Sequence, residues 1–446
     1  MTYTYKFRWL VLFVTIIPFA LFAQNEPYDM MVNGVKVIVK PSGNEIVVLQ
    51  TFIKGGVRNY PAEKTGIESL AITALTECGT KNDDKNSFKN KLDKVSAYVT
   101  GQAGLDYSSL KLNCIKTDLD NVWPLYRDAL LTPRFDDKEF ARIKQDAVTA
   151  IRDAESNPDR ALSKLAKQTA FAGRAYAKDP MGTVGIVSKL TAAETAKYWK
   201  SVFTKNKLVI VVVGQLDSIL IKTMVADITG AIPAGPAFVR EREVYAPKGN
   251  TFMPMARENA TNYIMGVASG PLPGTSEYNA YALASTIFSQ RHFIEIRTNH
   301  GLSYAPWAWF TNNLTPYMEI CVSTTDPDKY IAIARNLIDR IQKDGFTEAE
   351  LKNERTGYLT SIHYRNETNE AQATSFGTNE IIHGNWRRSI MINDEIKKIT
   401  LDQLNEVFRK YLTNITWVYQ GDTKKVTPAL FTQKQTPALP GVKKAF

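Results

Sequence analysis

The chain has 446 residues, 44% of them hydrophobic and 22% charged, and a formal net charge of +10. That length is too great for one ordinary core and implies two domains of roughly 200 residues each. The composition excludes a disordered chain, the dispersed basic residues exclude a nucleic-acid-binding arm, and three cysteines exclude a disulfide framework.

The N-terminus reads as a targeting segment. Lys6 and Arg8 precede an apolar run from Trp9 to Phe22, broken by Thr15 and Pro18, with Ala23-Gln24 as the cleavage point. Residues 1–23 are therefore expected to be a signal peptide, with an uncleaved anchor as the alternative. No second long apolar run follows, so the expectation is an exported protein, free of the membrane after cleavage, with a bacterial periplasm as its destination. Without Lys6 and Arg8 the charge falls to +8. Cys78, Cys114 and Cys321 are expected to be buried free thiols, with a Cys78–Cys114 pair left open.

The mature chain begins with strand patterns at 34–40 and 45–53, separated by the turn residues Pro41-Ser42-Gly43-Asn44 and read as a hairpin. Gly55-Gly56 ends the second strand. A loop carrying Arg58 and Thr65-Gly66 leads into a helix over 67–77, stopped by Gly79. A short helix over 86–95 and one long strand over 102–115 come next. Residues 118–177 read as helices broken near Pro133 and Pro158. Thr191-Ala-Ala-Glu194 is a capping box opening a helix to Phe203. Leu208–Val213 is a buried strand, and 218–230 is a helix. Residues 231–249, with Pro233, Pro236 and Pro247, read as a linker.

The second half repeats the first. Phe135–Phe140 matches Phe346–Leu351, Leu190–Glu194 matches Ile399–Gln403, and the strand end at Gly214 matches Gly421, at offsets of 211, 209 and 207 residues. This gives two homologous α+β domains, 24–230 and 250–446, each an antiparallel sheet with helices packed on one face.

Within the second domain, Ala280, Leu283, Ala284, Ile287 and Ile294 form an apolar helix stripe that Gly301 terminates, and 302–310 reads as a strand. Arg297 leaves the helix as Tyr304 enters the strand, so a guanidinium and a phenol could face one ligand atom. Both are hydrogen-bond donors suited to a carbonyl or oxyanion. A plainer reading makes Arg297 a helix-dipole partner and Tyr304 a strand aromatic.

The spacing of Arg297 and Tyr304 resembles the Arg–Tyr motif of the pitrilysin/insulinase family of zinc peptidases, and the resemblance covers essentially the whole mature chain. Family members carry His-x-x-Glu-His on the first helix after Gly-Gly, Arg and Thr-Gly, with a carboxylate ligand just under eighty residues later. Here the frame stands at Gly55-Gly56, Arg58 and Thr65-Gly66, but the site does not. Counting from Thr65-Gly66 gives Ser69 and Thr73 at the His positions, Ile72 at the Glu position and Ala150, beside Thr149, at the third ligand. None of these can serve as a zinc ligand or as the base. The chain has four His (His292, His300, His363 and His383), none in a metal-binding spacing, so they read as surface or packing residues.

The resemblance implies a division of labour. This chain would be the zinc-less subunit of an exported heterodimeric metallopeptidase, inactive alone. Arg297 and Tyr304 would hold the substrate carbonyl at the zinc site of a homologous chain bearing His-x-x-Glu-His. It implies no cofactor in this chain, zinc in the partner and peptides as substrates. The alternative is a catalytically inactive structural or peptide-binding homologue, as a homodimer in one version.

Overall fold

The computed structural model describes residues 26–258 and 260–433, so the expected signal segment over 1–23 lies outside them. The first half contains β1 (Tyr28–Val32), β2 (Val35–Lys40), β3 (Ile46–Lys54), α1 (Ile67–Glu77), α2 (Lys85–Asp93), β4 (Tyr98–Ala103) and β5 (Tyr107–Ile115). It continues with α3 (Leu119–Leu131), α4 (Asp137–Ser156), α5 (Pro158–Ala170), α6 (Val184–Val187), α7 (Ala192–Val202), β6 (Leu208–Val213) and α8 (Ser218–Thr229). Residues 231–250 hold neither helix nor strand.

The second half contains β7 (Thr251–Ala256), β8 (Asn262–Ser269), α9 (Glu277–Phe293), β9 (Trp307–Phe310), β10 (Tyr317–Thr324), α10 (Pro327–Asp344) and α11 (Glu348–Arg365). It ends with α12 (Asn369–His383), α13 (Arg388–Lys397), α14 (Leu401–Tyr411), β11 (Ile415–Gly421) and α15 (Pro428–Thr432). The sheet orders are β1-β2-β6-β3-β5-β4 and β7-β11-β8-β10-β9.

The duplication is visible in the local chemistry. Thr191 and Thr400 both close capping boxes, with Glu194 and Gln403, at the starts of α7 and α14. Each sheet is mixed rather than purely antiparallel, because β6 runs parallel to β2 and β11 parallel to β7. The hairpin expected from strands 34–40 and 45–53 does not form, since β6 lies between β2 and β3. All six residues of β6 are buried Leu, Val or Ile, and only a central position covers such a strand on both faces. The strand expected over 102–115 is instead the hairpin β4–β5, turning at Gly104, whose amide bonds Tyr107 O at 2.9 Å. All three cysteines are buried and free.

The two halves exchange helices. Helix α5 packs on β8 and β11 of the second sheet, and α12 packs on β3 and β6 of the first. The α12 seam is dry, with Phe52, Val209 and Val211 meeting Ala373, Phe376 and Ile382. Approach there is so close that a Cβ on Gly377 would lie 2.1 Å from the Phe52 ring.

A buried polar network completes the seam. Asp106 Oδ1 accepts from Arg58 Nη1 at 2.9 Å and from Tyr176 OH at 2.5 Å, while Oδ2 accepts from the Leu314 amide at 3.0 Å. Arg58 Nη2 donates to Thr315 Oγ1 at 3.1 Å, and Tyr176 OH accepts from the Thr315 amide at 3.2 Å. Burial and the Asp106 charge hold the Tyr176 phenol protonated, as its donor role requires.

Gly377→Ala should cost ~1–3 kcal/mol through overpacking. A Cβ on Gly357, in α11, would meet no atom within 4 Å beyond its own helix backbone, so Gly357→Ala should be neutral or stabilising by ~0.5–1 kcal/mol. Thermal unfolding of the two variants checks the pair.

Candidate functional site

Helix α9 carries Ala280, Leu283, Ala284 and Ile287 into the core, as the periodicity requires. Beyond Phe293 the helix widens into one π-helical turn over Ile294–Asn299. The wider turn changes which side chains face in. Ile294 is exposed, and Ile296 takes the buried place. Gly301 then sits at φ +62°, its amide bonding Arg297 O at 3.1 Å, and stops the helix. The expected strand over 302–310 shrinks to Trp307–Phe310, so Tyr304 lies in a loop before the strand. Its side chain is 79% exposed.

The structure brings Arg297 and Tyr304 together. The Arg297 guanidinium carbon lies 4.2 Å from the Tyr304 ring centre and 5.0 Å from that of Phe293. Stacking of this kind orients a guanidinium while leaving its in-plane N–H groups free. Neither the guanidinium nor the Tyr304 hydroxyl has a hydrogen-bond or ion-pair partner among the described residues. The nearby acid is engaged elsewhere, since Glu295 pairs with Arg340 at 2.8 Å and accepts from Asn299 at 3.1 Å. Sequence reasoning missed Phe293 as the second face of the stack. Its place four residues before Arg297 was the available signal.

The positions at which the sequence spacing would place a metal site, Ser69, Ile72 and Thr73 on α1 and Ala150 on α4, lie on two helices that pack together. The residues do not fit a metal. Thr73 donates to Ser69 O at 2.9 Å, and Thr149 donates to Gln145 O at 3.1 Å, so both hydroxyls serve their own helices. Ile72 is fully buried and fills the space above Gly101 of β4, where a Cβ would meet it at 2.4 Å. Ala150 is exposed and has no donor atom.

The acids of α1 are committed too. Glu77 pairs with Lys89 at 2.5 Å and Arg142 at 2.7 Å. Glu68, its carboxyl pushed up by burial, accepts from Asn59 at 3.0 Å and from the Tyr198 hydroxyl. No group of His, Cys, Asp and Glu among the described residues could hold a metal ion.

Of the histidines, His292 is buried against Tyr330 at 3.1 Å and His383 against Asn312 at 3.1 Å. Burial drives both to about 3, so both are neutral packing residues. His300 is exposed, 3.8 Å from Glu295.

Two family profiles match the chain. "Insulinase (Peptidase family M16)" covers residues 36–184, and "Peptidase M16 inactive domain" covers 189–358. The chain belongs to the M16 family. Among its M16 relatives, the "Uncharacterized zinc protease YmxG" of Bacillus subtilis is 18% identical, over 85% of this chain and 94% of that protein. The "Non-peptidase homolog YmxG" of Helicobacter pylori is 21% identical, over 83% and 88%. The structure of a peptidase M16 inactive domain from Pseudomonas fluorescens superposes with a TM-score of 0.81 at 17% identity, over 89% of this chain and 98% of that one. The periplasmic protease PqqL of Escherichia coli gives 0.76 at 14% identity, over 95% of this chain and 49% of that one.

One titration reports on the α9–α11 contact behind this site. Burial raises the Glu354 carboxyl to about 7, against hydrogen bonds from Gln290, at 3.1 Å, and Thr286. The unfolded chain ionises Glu354 in the ordinary carboxylate range, so folding resists that ionisation. Stability should fall as pH rises from that range to about 7 and stay level above it. Glu354→Gln should remove this component, raising the melting temperature at pH ~8 relative to the native chain, as a thermal series over pH ~5–8 would read.

Proposed function

We propose that this chain is the zinc-less subunit of an exported two-chain M16 peptidase. In this reading a homologous chain bearing His-x-x-Glu-His supplies the metal and the nucleophile. This chain supplies Arg297 and Tyr304, which donate hydrogen bonds to the substrate carbonyl as charge develops on its oxygen. The observation that carries the reading is the stacked pair itself. Two strong donors are oriented at a surface and left without an acceptor among the described residues, in a chain whose counted metal positions carry no ligand side chains.

The PqqL comparison supports the pairing, because a protease of the family is about twice as long as this unit. The periplasmic location of PqqL and the apolar segment over 9–22 support export to the same compartment. The outer edge of β4, beside α1, bears no backbone hydrogen bond among the described residues, so an extended peptide can add to it as a strand. No helix among the described residues is long and apolar enough to cross a membrane.

The second reading, an inactive structural or peptide-binding homologue, draws on the naming of the Helicobacter pylori relative as a non-peptidase homologue. Hydrolysis of unfolded peptides separates the two. This chain, a zinc-motif homologue from the same organism and their mixture are assayed side by side. The mixture alone should be active. Tyr304→Phe or Arg297→Ala should lower its turnover ~10²–10³-fold. A homologue as fast alone as in the mixture would move the assignment to the second reading.

A further inference from the structure

The duplicated halves differ at one place that neither the Arg–Tyr pair nor the lost metal site uses. In the first half Ile72 closes the gap between α1 and β4 over Gly101. Counting from the helix starts, Ala282 of α9 stands where Ile72 stands in α1. Ala282, with Ser285 and Ser289 on the same helix face, is too short to close the matching gap. An open cleft of about 620 Å³ remains between α9, β9, α11, α12 and α13. That volume is in the range of small-molecule sites.

The lining has a definite chemistry. No Asp or Glu borders the cleft, and two arginines do. Arg388 is committed, with Nη1 on Glu395 at 2.9 Å and Nη2 on Asn279. Arg365 is not. Its hydrogen bonds go only to Ser361, one turn back on its own helix, at 3.2 Å from Nη2 to Oγ and 3.4 Å from Nε to the carbonyl oxygen. The cleft thus carries one uncompensated guanidinium. Tyr278, Phe310, Tyr358 and Ile362 supply apolar walls.

The polar groups at one end are incompletely used. Asn312 Oδ1 accepts from Tyr278 OH at 2.7 Å and from His383 Nε2 at 3.1 Å. Because Oδ1 can only accept, Nε2 carries the ring proton and Nδ1 is a bare acceptor. Nδ1 is buried and has no partner, on a side chain 8% exposed. Nδ1 is closed off from the cleft and takes no part in binding. Asn312 Nδ2 donates to nothing among the described residues. That free donor, on an exposed side chain, suits a carbonyl oxygen.

We propose that this cleft binds a small amphipathic carboxylate: an aromatic or branched body against the apolar walls, an amide carbonyl at the Asn312 end and a carboxylate on Arg365. An N-acylated hydrophobic amino acid has this chemistry. The site is independent of the peptidase reading, since it uses neither Arg297, Tyr304 nor a partner chain.

Calorimetric titration of the whole chain with N-acetyl-L-phenylalanine tests it, with N-acetyl-L-phenylalaninamide as the uncharged control. The acid should bind saturably with a Kd of about 1 mM or tighter, and the amide about tenfold more weakly. Arg365→Gln, at an exposed position, should reduce acid binding to the level of the amide. Ala282→Ile, which copies the closure of the first half, should abolish binding of both while circular dichroism shows the fold retained. Absence of saturable binding by the native chain would overturn the proposal. So would equal binding of acid and amide, or native affinity in Arg365→Gln.

Discussion

The Arg58–Asp106 ion pair is the constraint on which the arrangement of the two halves depends. Asp106 is almost fully buried, and a carboxylate in that position is tolerable only when its lone pairs are filled. Donors from both halves fill them: Arg58 and Tyr176 from one side, the Leu314 amide from the other. Deleting the Arg58 charge would leave the Asp106 carboxylate buried without an ion-pair partner, at a cost of about 3–5 kcal/mol. Leu314 and Thr315 belong to the loop joining β9 to β10, so the network also fixes the far end of β9. Tyr304 enters at the near end of that strand. The donor pair is therefore held in register with the first half by a bond network at the other end of a four-residue strand.

The exchanged helices make this geometry rigid. Because α5 covers the second sheet and α12 the first, neither half can hinge away without exposing a packed face. Duplication also shows how one scaffold diverges at a single position. Isoleucine at 72 seals the space between helix and edge strand, while alanine at 282 leaves it open. The sealed gap in one half and the open cleft in the other thus follow from a side-chain difference at matching helix positions.

What could be read from the sequence followed from local physics. The capping box at Thr191, the helix stop at Gly301 and the apolar period of α9 are determined within a few residues, and each appears in place. The Arg297–Tyr304 juxtaposition was legible because a helix stop brings residues seven apart within contact. Strand order was not legible. Nothing near Val35–Lys40 announces that a strand some 170 residues later will separate it from β3. The π-helical turn was missed because the periodicity fits an α-helix equally well up to Phe293. Arg58 was visible only as part of a motif. Its partners Asp106, Tyr176 and Thr315 are far away in the chain and carry no local mark, so the network exists only in the fold. The open cleft rests on the same kind of long-range fact, several small residues of α9 facing helices that arrive later.

The central claim is that Arg297 and Tyr304 are oriented for an acceptor that comes from outside this chain. The most direct measurement is a structure of this chain with its zinc-motif homologue, made inactive by replacing the catalytic glutamate of its His-x-x-Glu-His motif, and a bound peptide. The account expects the Tyr304 hydroxyl and an Arg297 nitrogen ~3 Å from the scissile carbonyl oxygen. A complex in which both side chains face solvent, or pack into a contact without peptide, would contradict it.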